Sequence, residues 1–185
     1  MTPAPNRLVL EGVPRVGFYR GGPGCPEDIP FPSVMRALME YLHEGDFGCH
    51  SNHALQPGCK INCSYSFFMG VSGVASSLSW KPGWDGDAAE VMPMTDEPEA
   101  PFDRAFQAAG YQYQFVRMEE GRRKDEAFLR QRIVESIQTG RPVLAFGPIG
   151  PPEAAILTGY DEGGDVLIGW SFFQNIAEFN AGVEF

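Results

Sequence analysis

Five side chains of zinc-ligand type, Cys49, His50, His53, Cys59 and Cys63, fall within residues 49–63. Thiols and imidazoles at that density can hold a tetrahedral metal or do nucleophilic chemistry. The spacing argues against the metal: structural zinc sites carry two close ligand pairs, and here only Cys59 and Cys63 form one, with Cys49 and His53 as loose partners. A disulfide from Cys49 to Cys59 or Cys63 is a second alternative. Plain thiols are the expectation, with no metal and no cofactor. Cys63, in NCSYSFF, stands at the expected start of an aromatic-rich helix, where free N–H groups and the helix dipole favour a thiolate. It is the best thiol nucleophile of the chain; the competing reading is a small apolar residue packed in the core. Glu153 heads the stretch PPEAAILTGYD. Burial beside Pro151, Pro152, Phe146 and Trp170 would make it a general base, with Ser33 or a loop cysteine as partner. Otherwise it is a strand-edge carboxylate bonded to backbone. Trp80, Trp84, Trp170, Phe172 and Phe173 either line a ligand groove or form core and rim.

These residues need elements to hold them. FPSVMRALMEYLHE predicts a helix opening at Ser33 as N-cap, with Val34, Leu38, Tyr41 and Leu42 at helical spacing and Gly45 as its stop. A shorter helix follows in SYSFFMG, ending near Gly70, and VSGVASSLSW reads as a strand. FDRAFQAAG predicts a helix with Phe102, Ala105, Phe106 and Ala109 on one face and Gly110 as terminator. The alternation in YQYQFVRM predicts a strand. Residues 125–139 predict a helix burying Leu129, Ile133 and Ile137 and stopping at Gly140. PVLAFG, AAILTGYD and DVLIGW read as strands, the last two joined by the hairpin turn GYDEGGD. Residues 1–30 are extended pieces broken by Pro and Gly, and 45–62 a loop insertion. Helices first and strands last predict one α+β domain over 1–185.

At 185 residues with 43% hydrophobic and 12% aromatic content, the chain can bury a core without staples. A formal net charge of −10 repels polyanions, and the basic cluster Arg122, Arg123 and Lys124 sits among acids, so nucleic acid is not an expected partner. No stretch is apolar enough to cross a membrane, and MTPAPNRLVLEGVPRVGFY shows no secretory signal. A cytoplasmic location is expected.

The order FPSVMRALMEYLHE, SYSFFMGVSGVAS, GRPVLAFG and EAAILTGYDEGGDVLIGW resembles the papain-like cysteine peptidase superfamily over roughly residues 31–172. The likeness is to its bacterial branch of C39-like peptidases and the N-terminal domain of the butirosin biosynthesis protein H family. The resemblance implies a helix with a nucleophilic Cys at its N-terminus, packed on a small antiparallel sheet that carries His and an Asp or Asn. Members cleave peptides or transfer acyl groups. By that resemblance the cysteine falls between Phe31 and Val34, where no thiol stands; the histidine falls on Glu153; the third residue falls near Gly169–Ser171, where no carboxylate stands. The expected function is therefore a diverged domain, without covalent catalysis, that binds a peptide or small molecule in the residual cleft. The alternative is a thiol- or carboxylate-assisted amide or thioester hydrolase or acyltransferase.

Overall fold

The computed structural model describes residues 5–18, 27–42, 63–77, 97–116 and 125–179. In chain order these give β1 (Leu8–Val9), α1 (Pro30–Tyr41), α2 (Cys63–Val71), α3 (Ala100–Ala109), α4 (Asp125–Gln138), β2 (Val143–Phe146), β3 (Ala154–Asp161) and β4 (Val166–Trp170). Among the described residues the architecture is mixed α and β, four helices with a small antiparallel sheet.

Strand β3 organises the sheet. Its apolar run AAILTGY is buried from Ala154 to Tyr160, as a strand covered on both faces must be. Along one edge β4 runs antiparallel from Ile156↔Trp170 to Asp161↔Val166. The other edge is shared end to end: β2 pairs from Phe146↔Ala154 to Val143↔Leu157, and β1 continues with Gly159↔Val9 and Tyr160↔Leu8. The β3–β4 ladder shifts register between Leu157 and Gly159. Gly169 lies beside that shift because the strands approach too closely for a side chain: a Cβ there would meet the carbonyl oxygen of Ile156 and come within 2.9 Å of the Leu157 Cα. The turn GYDEGGD forms as expected, with a 3-10 turn over Glu162–Gly164 whose first amide donates to the Asp161 carboxylate at 2.7 Å.

Helix α1 fills the centre. Phe31, Val34, Met35 and Leu38 repeat at helical spacing, and every residue from Pro30 to Met39 is buried. Its start corrects the sequence reading. The helix begins three residues before Ser33, with Ile29 as an N-cap lacking a side-chain bond, Pro30 at the first helical position and Pro32 still within the first turn. Those amides need no intrahelical acceptor, so both prolines are tolerated. The first helical bond is Ser33 N–H to the Ile29 carbonyl, 3.4 Å. At the other end Leu42 caps the helix, its amide donating to the Leu38 carbonyl; Gly45 lies outside the described residues.

Helices α2, α3 and α4 follow the expected segments closely. Gly110 closes α3 in the left-handed conformation, φ 78°, which a residue without a Cβ adopts freely. Arg104 of α3 donates to the Ser72 carbonyl after α2, and Arg130 of α4 donates to the carbonyls of Gly164 (3.1 Å) and Asp165 (2.7 Å), pinning α4 to the β3–β4 turn. Two strand expectations fail. VSGVAS forms a turn at Gly73 and a 3-10 turn over Val74–Ser76. YQYQF makes no ladder among the described residues; its alternation is real, but Tyr113 stacks on Phe106 at 4.7 Å and Phe115 on Phe102 at 5.8 Å, so one face packs on α3. No helix among the described residues is long and apolar enough to cross a membrane.

Candidate functional site

Ser33 points into a sealed ionic cluster. Its hydroxyl donates to Glu27 Oε2, and Ser33, Glu27 and Arg36 are 0%, 1% and 1% exposed. Arg36 holds the carboxylate from two sides: Nη2 donates to Oε2 at 3.2 Å, and Nε faces Oε1 at 2.9 Å as an ion contact without hydrogen-bond alignment. The remaining donors reach the Glu40 carboxylate at 2.9 Å and the Arg15 carbonyl at 3.1 Å. An arginine in the midst of an apolar helix must bring its counter-charge with it, because an unpaired buried cation is prohibitively costly. A serine donating to a carboxylate is also the arrangement of nucleophile and base. Here the carboxylate is already the counter-ion of Arg36, and no face of Ser33 meets solvent.

Glu153 sits at the threshold of β3, 8% exposed. Its main chain is tied into the turn before it: its amide donates to the Pro151 carbonyl at 2.6 Å, and its carbonyl accepts from Gly147 N–H at 3.0 Å. The Ser33 hydroxyl, expected as a partner of Glu153, gives its one proton to Glu27. The two residues nonetheless flank one aromatic cluster. Phe31 in the first turn of α1 meets Phe102 at 5.0 Å, Phe102 meets Phe146 at 5.2 Å, and Phe146 pairs with Ala154, the neighbour of Glu153.

Cys63 is the first residue of α2, as its sequence context predicts. The first turn of that helix docks where the chain enters α1: the Tyr65 hydroxyl accepts from the amides of Asp28 (3.2 Å) and Ile29 (3.0 Å). Burial raises the Tyr65 phenol above its ordinary range, with those amides opposing the shift in part. The starts of α1 and α2 are thus neighbours. The Cys63 side chain, Cys25, Cys49, His50, His53 and Cys59 lie outside the described residues, as do Trp80, Trp84 and the basic cluster at 122–124.

Trp170, Phe172 and Phe173 belong to the core and its rim. The chain's own residues 13–18 lie on them. The Arg15 guanidinium stands 4.3 Å over the Trp170 ring, and Phe18 meets Phe172 and Phe173 edge-on at 4.8 and 5.9 Å. Ser171, at the position where the resemblance puts the third catalytic residue, is buried; its amide donates to Gln174 Oε1 at 2.9 Å and its hydroxyl accepts from Phe173 N–H at 3.2 Å.

Glu27, Arg36 and Gln174 were not legible as site residues in sequence. Only Arg36 left a signal, a cation embedded in VMRALM. Neither protein-family models, nor curated proteins, nor solved structures give a match to this chain.

Proposed function

We propose that this chain is a diverged papain-like domain that binds a peptide or small molecule in its residual cleft and performs no covalent chemistry at the start of α1. The observation that supports the reading is the Ser33–Glu27–Arg36 cluster: where the resemblance puts a nucleophile, a fully buried serine hydroxyl serves an internal ion pair. Glu153, at the position of the family's histidine, is then a structural residue at the threshold of β3. The test is a peptide and fragment library screened by thermal shift against the wild-type chain, Glu153→Gln and Cys63→Ser, with an activity-based thiol probe applied at neutral pH. Binding that survives both substitutions, with no cysteine labelled, is the expected result. Hits that all vanish in either variant overturn it.

A second reading, a thiol-assisted amide or thioester hydrolase or acyltransferase, is favoured by one observation, the place of Cys63 at the first position of α2 beside the start of α1. Selective labelling of Cys63, abolished in Cys63→Ser, selects it over the first.

A further inference from the structure

We propose that residues 13–18 are a built-in strap occupying the surface on which the ligand docks, and that the ligand is an extended peptide carrying an arginine and, three residues later, an aromatic. The strap is held by the means with which proteins hold foreign peptides. Its main chain is captured, the Arg15 carbonyl accepting from Arg36 Nη2 at 3.1 Å. Its cation lies on the face of Trp170 at 4.3 Å. Val16 is an apolar anchor, 6% exposed and part of the core cluster. Phe18 closes the contact edge-on against Phe172 and Phe173.

The outer contacts are replaceable ones. Phe18 is 43% exposed although it touches two rings, and Arg15 is exposed as well. A free segment with the same Arg-x-x-aromatic pattern reproduces both. The charge of the molecule selects the same ligand, since a net charge of −10 concentrates cationic peptides near the surface and repels acidic ones. The inference rests on the preceding reading only in taking the ligand to be a peptide bound beside β4, where the family's third catalytic position falls.

Fluorescence anisotropy with a labelled peptide of the strap's own sequence, VPRVGF, tests this on the full chain. A tethered competitor acts at an effective concentration on the order of millimolar, so loosening it with Arg15→Ala plus Phe18→Ala tightens peptide binding by about tenfold or more over wild type. The peptide VPEVGF, with glutamate in place of arginine, binds neither chain. Circular dichroism checks the fold, and Phe18→Ala alone, at an exposed position, serves if the double variant unfolds, with the same direction of change expected. Equal affinity for the wild-type and loosened chains, no binding by either, or equal binding of VPEVGF overturns the proposal. The outcome is separable from that of the thiol probe: labelled Cys63 with tenfold tighter VPRVGF binding removes the non-covalent reading and leaves the strap.

Discussion

Arg36 is the residue on which the centre of α1 turns. Breaking a buried ion pair is costly, so Arg36→Ala, which takes the guanidinium away from the Glu27 carboxylate at 1% exposure, is expected to cost about 3–5 kcal/mol. Ser33→Ala removes only a donor to a carboxylate that keeps Arg36, and is expected to cost about 1.5 kcal/mol. Urea unfolding measures both; equal losses would show that the hydroxyl and the guanidinium are not ranked as the geometry ranks them. Two of the described tyrosines make stability depend on alkaline pH. Burial pushes the Tyr113 phenol up, and its bond to Asp103 at 2.7 Å adds to the shift; Tyr65 is raised chiefly by burial. A group bound more tightly to its proton in the folded state gives its full contribution below its unfolded pKa of about 10, and loses it as pH climbs through the folded value. Stability is therefore expected to fall above about pH 10, less steeply in Tyr113→Phe and Tyr65→Phe, as urea midpoints taken between about pH 9 and 11.5 will report. At this scale the sequence conveyed little. A serine after a proline reads as a cap, and nothing local announces that its partner is a glutamate on the preceding segment.

Elements were far more legible than contacts, because periodicity reports burial directly. Helices α2, α3 and α4 and strands β2, β3 and β4 lie within a few residues of their expected bounds. The misses have separate causes. Alternation in YQYQF reports a single buried face, which a strand needs but does not own; here that face rests on α3 without a ladder. In VSGVAS the β-branched valines favour a strand, yet Gly73 takes φ 88° and turns the chain. Two glycines distinguish tight from open backbone. Gly169→Ala forces β3 and β4 apart and is expected to cost about 1–3 kcal/mol. Gly70→Ala, in a helix with nothing within 4 Å of the new methyl group, is expected to gain about 0.5 kcal/mol. Thermal unfolding of the two variants should move in opposite directions; a shared direction would contradict the packing at Gly169.

Across the whole molecule, stability concentrates on β3, which is covered on both faces and paired along both edges. Its amides are expected to exchange with solvent only through global opening, while those of residues 111–116, outside any ladder among the described residues, exchange through local opening. Native-state hydrogen exchange in low denaturant will test the contrast, and β3 amides that exchange as fast as those of 111–116 would refute it. The α+β layout was readable from the order of patterns along the chain. The sharing of one β3 edge by β2 and β1 was not, since β1 is two residues long and its partner lies at the far end of the sequence.

That shared edge also dictates a timetable. Leu8 and Val9 pair with Tyr160 and Gly159, and the Tyr160 hydroxyl donates to the Pro5 carbonyl across a separation of 155 residues. During synthesis, residues 8 and 9 must wait without their strand partners until residues 159 and 160 have been translated. Closing this edge is consequently a late, long-range step of folding.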